Sequence, residues 1–199
     1  MITDRIEISS DGDRMETALA QADKVARYKE LDDQSAVRLR LLAEEMMAMM
    51  RSITGETVGL FWIEDREGCF QLHLSVDTQM TAQKRKQLLS ASSTGRNESA
   101  KGFMGTLRDL FDRSEDVDEP SGTNPLFMSG ALEYSSTPTL DWEWSMTRYS
   151  DALASRDAND PAVRKAWDEL EKSVVRNIAD EVTVSIHGRQ TEMVIYKRF

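Results

Sequence analysis

The sequence predicts an α/β two-layer sandwich of the α+β type, with a mixed or antiparallel sheet and helices on one face. Three observations predict it. Leu39, Leu42, Ala43, Met46, Met49, Met50 and Ile53 recur at spacings of three and four, the period of a helix with one buried stripe. At roughly 100° per residue they fall within an arc of about 120°. Shortly after them, Phe70, Leu72, Leu74 and Val76 alternate with Gln71, His73 and Ser75, which makes a strand with one apolar and one polar face. Near the end of the chain Val182, Val184 and Ile186 repeat that alternation. A helical stripe followed closely by such strands has a sheet to bury itself against.

Taken in order, Arg5–Ser9 alternates Ile6 and Ile8 with polar residues and reads as a first strand. Ser9-Ser10-Asp11-Gly12-Asp13 is turn and cap chemistry before a helix from about Arg14 to Leu31. Its stripe is Met15, Leu19, Ala22, Ala26 and Tyr28. Asp32 and Asp33 cap the Ser35–Ile53 helix and Gly55 stops it. Val58–Glu64 and Cys69–Val76 form a hairpin around Asp65-Arg66-Glu67-Gly68. Thr81–Ala91 reads as a helix, residues 92–98 as a loop, and Gly102–Arg113 as a helix carrying Phe103, Leu107, Leu110 and Phe111.

Ser114–Thr139 holds three of the four prolines and reads as loop with one short strand around Leu132–Tyr134. Trp142, Trp144, Met146, Tyr149 and Leu153 predict an amphipathic helix. Asp160-Pro161 starts another, whose stripe of Trp167, Leu170, Val174 and Ile178 runs to about Ala179. Glu181–His187 and Thr191–Lys197 close the chain as a hairpin. The expected organisation is a single domain. Residues 5–80 and 162–199 form its sandwich core, and 81–161 form a lid-like region with a helical and irregular insertion. No internal repeat is evident in the sequence.

Composition narrows the function classes. With 40% hydrophobic and 30% charged residues among 199, the chain is ordinary globular material. No apolar run approaches the ~20 residues of a membrane span, and the opening Met1-Ile2-Thr3-Asp4-Arg5 lacks a signal-peptide layout. A single Cys69 leaves no internal disulfide and fits a reducing cytoplasm. A net charge of −10 repels nucleic-acid backbones.

The order of elements, with Leu41-Leu42-Ala43-Glu44-Glu45-Met46-Met47-Ala48-Met49 at its centre, resembles the GHKL (histidine-kinase-like) ATP-binding fold, nearest to the anti-sigma-factor serine kinases. The resemblance covers about residues 5–75 and 162–198. In that family a Glu on the second helix is followed four residues later by an Asn that holds the magnesium of ATP. Here Glu45 matches the Glu and Met49 stands at the Asn position. The family's Asp-x-Gly-x-Gly motif binds adenine. Here Asp77 is kept in Ser75-Val76-Asp77-Thr78-Gln79-Met80-Thr81 and both glycines are missing. Ile178-Ala179-Asp180-Glu181-Val182 is similar to the family's closing passage from helix to strand.

Each candidate residue has a plainer alternative. Glu45 is either a general base or a solvated carboxylate on a helix flank. Asp77 is either an adenine acceptor or a turn residue at a strand end. Lys101-Gly102-Phe103-Met104-Gly105 either opens a helix whose free amides take a phosphate, with Lys101 adding charge, or is simply a flexible helix entry. His73 and His187 lack ligand spacing, so no metal site is assigned. Trp142, Trp144 and Tyr149 either offer a partner or homodimer surface or pack within the core. The resemblance implies a cytoplasmic regulatory protein that binds a sigma factor or an anti-sigma antagonist, with a degraded site for ATP and magnesium. The alternative is an active ATP-binding serine kinase or ATPase.

Overall fold

A computed structural model of the chain describes residues 1–9, 14–54, 58–77, 132–134, 141–187 and 190–199. Its elements are β1 (Ile6–Ser9), α1 (Met15–Tyr28), α2 (Asp33–Thr54), β2 (Val58–Arg66), β3 (Cys69–Asp77), β4 (Leu132–Tyr134), β5 (Asp141–Ser145), α3 (Met146–Ala154), α4 (Pro161–Lys172), α5 (Val174–Ile178), β6 (Glu181–His187) and β7 (Gln190–Arg198). The predicted helices at 81–91 and 102–113 lie outside the described residues.

α1 buries Ala18, Leu19, Ala22, Val25 and Ala26. Tyr28 was expected in that stripe and is instead 74% exposed. The helix ends there: Glu30 takes a left-handed φ of 52°, and the Leu31 N–H reaches back 3.0 Å to the Ala26 carbonyl. That closure turns Leu31 onto the core in place of Tyr28. Asp32 then opens α2, accepting from the Ser35 amide at 3.0 Å and the Ser35 hydroxyl at 2.7 Å. Leu39, Leu42, Ala43, Met46 and Met49 are all buried, as the helical period requires.

The β2–β3 loop is two residues long, Glu67 at φ 54° and Gly68 at φ 81°, between the paired Arg66 and Cys69. Two successive positive φ values match the right-handed twist of the flanking strands. The sheet has seven strands in the order β1-β2-β3-β7-β6-β5-β4, and every neighbouring pair is antiparallel. Residues opposite one another share a face. Phe61, Ile63, Leu72, Leu74, Val184 and Ile195 therefore face the helices, and they join one core cluster with α1, α2, α3 and α4.

Two further expectations are corrected. The aromatic run is not one helix: Asp141–Ser145 is the strand β5, and α3 begins only at Met146. The residues Trp142-Glu143-Trp144 alternate with period two, and Ser145 marks the change by capping α3 through the Arg148 amide at 3.2 Å. Trp144 is 1% exposed and Tyr149 is also buried, both in the core and not on a docking face. The last long helix also breaks, at Ser173, whose hydroxyl caps α5 through the Arg176 amide.

The topology contains a repeat that the sequence conceals. The run β1-α1-α2-β2-β3 is followed by β5-α3-α4-α5-β6-β7, and each half lays its strands side by side in chain order. The halves meet at β3 and β7. That ladder runs from Cys69↔Arg198 to Asp77↔Gln190, and its midpoint is His73↔Val194. Each strand begins just after its own hairpin loop, at Cys69 and at Gln190, so the ladder is reciprocal. The two halves are related by an approximate twofold through His73 and Val194.

Candidate functional site

The sequence-nominated residues lie on separate elements. Glu45 sits half-buried on the flank of α2. Burial, and then the neighbouring Glu44 charge, push its carboxyl above the usual range. Met49, one turn on, is 4% exposed and belongs to the core. Asp77 is the last residue of β3, opposite Gln190. Lys101, Gly102 and Gly105 lie outside the described residues.

The structure brings together a different group, on the sheet face away from the helices. Trp62 and His73 are opposite one another in the β2–β3 register and stack with ring centroids 4.7 Å apart and planes within 7°. Arg5 covers the indole at 4.6 Å. Its aim has a backbone cause. Ile2 pairs with Glu64, yet Ile6 pairs with Phe61, so the first segment holds one residue more than β2 between those pairs. An extra residue of this kind bulges an edge strand and re-aims its side chains.

His73 is 7% exposed. Its Nδ1 lies 2.8 Å from Glu192 Oε1 on β7. An ionised carboxylate only accepts, so Nδ1 carries the proton of that contact. Its Nε2 is buried with no hydrogen-bond partner among the described residues, and the Glu64 Oε1 stands 3.9 Å away. Glu64 is fixed by Arg66, which donates at 2.8 and 3.1 Å, and by the Trp62 indole N–H at 3.3 Å. Arg66 above all holds that carboxyl below the usual range, against the opposing effect of burial. Beside this group Gln190 donates to the Ser75 hydroxyl at 2.7 Å. No cluster of three or more His, Cys, Asp or Glu among the described residues is placed to hold a metal ion.

The twofold shows how particular this group is. By position along the two hairpins, Trp62, Glu64 and His73 correspond to Thr183, Ser185 and Val194, so one backbone arrangement carries two chemistries. The expected turn over Asp65–Gly68 would set Trp62 opposite Gln71, and the two-residue loop sets it opposite His73 instead; only the place of His73 on the polar face of its strand was legible beforehand. Glu192 was not, because it arrives from the other half.

A second feature is an open cleft of about 540 Å³ between the first segment and α1, with Ile2, Gln21, Lys24 and Tyr28 in its walls. Its edge is guarded by the bulge and by Gln21, which donates to the Asp4 carbonyl at 2.7 Å.

No helix among the described residues is long and apolar enough to cross a membrane. Compared with known proteins, the chain matches no family model and no curated sequence.

Proposed function

We propose that this chain acts in the cytoplasm by binding a protein partner, on a diverged histidine-kinase-like scaffold that does not turn over ATP. The observation that carries this reading is the burial of Met49 in the core. Magnesium takes hard oxygen ligands, and a buried thioether at the position of the family's asparagine supplies none. The residues present therefore do not fit a magnesium nucleotide. The resemblance supplies the partner class, a sigma factor or an anti-sigma antagonist. Ile2 and Tyr28 add exposed apolar side chains of the kind that protein contacts use. Calorimetry of the purified chain with ATP, ADP and magnesium tests the reading, which expects no magnesium-dependent heat of binding.

A second reading rests on Glu45. A carboxyl raised by burial has the tuning of a general base, as a serine kinase or ATPase would need. Micromolar, magnesium-dependent ATP binding that Glu45→Ala abolishes would put this reading in place of the first.

A further inference from the structure

We propose that His73 is a proton-operated clasp across the junction of the two halves, its protonated ring holding Glu192 through Nδ1–H and Glu64 through Nε2–H at once. The proposal is independent of the nucleotide question. With one proton, on Nδ1, the ring serves Glu192 at 2.8 Å and leaves Nε2 buried without a partner among the described residues. A buried polar atom in that condition is unfavourable. A second proton turns Nε2 into a donor, and the acceptor in line for it is Glu64 Oε1 at 3.9 Å, a small side-chain adjustment from bonding distance. Glu64 and His73 belong to the first half and Glu192 to the second, so the clasp ties β2, β3 and β7 at the twofold.

Among the described residues the titratable and charged groups facing the ring are few. From β2 come Glu64 and, on its other oxygen, Arg66. From β7 come Glu192 and, two same-face positions along and beyond Val194, the Tyr196 phenol. From the first segment comes Arg5, separated from the imidazole by the Trp62 indole. On β3 itself the same-face neighbours, Gln71 and Ser75, are neutral. Arg66 keeps Glu64 ionised throughout the range in which an imidazole titrates. Among these described groups the imidazole is the one whose ordinary range of protonation lies between about pH 5 and 8.

The chain has two histidines, so a ring-nitrogen NMR spectrum of the full-length protein carries two residues, assigned with His187→Gln. At pH 8 His73 is expected as the neutral Nδ1–H tautomer. At pH 5 both nitrogens carry protons, and the Nε2–H exchanges slowly with water. The clasp exists only with the second proton, so it is present at low pH and lost as pH rises. In melting curves the advantage of wild type over Glu64→Gln should accordingly be about 2–4 °C larger at pH 5 than at pH 8. An Nε2–H tautomer at pH 8 overturns the proposal, and so does a melting difference that is equal at the two pH values. Should Glu64→Gln fail to fold, the wild-type spectrum decides alone: an Nε2–H at pH 5 that exchanges as fast as that of an exposed imidazole contradicts the clasp.

Discussion

Asp65 and Glu45 are both partly or wholly buried carboxylates, and their surroundings act on them with opposite net sign. Asp65 accepts from the Lys29 ammonium and, at 2.9 Å, from the Gly68 amide. The Lys29 bond leads in holding its carboxyl below the ordinary 3.8, although burial opposes it. A carboxyl with a lowered folded pKa stabilises the fold at neutral pH, and that contribution is lost as pH falls below about 4. Asp65→Asn is expected to cost about 3 kcal/mol at pH 7, read from urea unfolding, because it leaves a half-buried Lys29 without its anion. An unchanged midpoint would show that the pair contributes nothing. Glu45 runs the other way. Burial and Glu44 raise its carboxyl above 4.5, so the folded state prefers the proton and the ionised group opposes folding at neutral pH. Glu45→Gln should therefore raise the melting temperature at pH 7 and change little near pH 4. A lower melting temperature at pH 7 would mean that the charge has a partner worth keeping.

Among the elements, β5 teaches most about what a sequence displays. Trp142, Trp144, Met146, Tyr149 and Leu153 fit a helical stripe only if Ser145 is ignored, and Ser145 is where the backbone changes state. The α2 stripe and the β2–β3 hairpin are legible because each holds one period over its whole length, and because Asp32 and the turn-like Asp65–Gly68 mark the ends with local chemistry. A five-residue strand feeding straight into a helix has no such length over which to declare its period. The consequence is testable. With Trp144 1% exposed against α3 and β6, Trp144→Ala should destabilise the monomer by about 3–5 kcal/mol, measured by denaturant unfolding. Weakened self-association with an unchanged midpoint would return this tryptophan to a docking face.

For the molecule as a whole, the twofold puts the β3–β7 ladder at the centre of one continuous sheet, and the His73 group sits on that ladder. Corresponding positions keep their phase of alternation and little else: Leu72 and Leu74 match Met193 and Ile195, but Phe70 and Val76 match Thr191 and Lys197. Alternation is what a sheet needs for one face to meet helices, so two halves of unlike sequence hold the same arrangement and no repeat was readable. Met49 lies in the core as its helical spacing predicts, whereas the His73 group comes from β2, β3 and β7, whose pairing spacing alone does not predict. The central claim, a binding protein without nucleotide turnover, is tested most directly by melting the full chain with and without magnesium-ATP at millimolar concentration. A ligand at a hundred times its Kd stabilises by about 2.7 kcal/mol, which for a chain of 199 residues is a rise of roughly 5–10 °C. The account predicts the same melting temperature with and without magnesium-ATP. A rise of that size, dependent on magnesium and removed by Glu45→Ala, would contradict it.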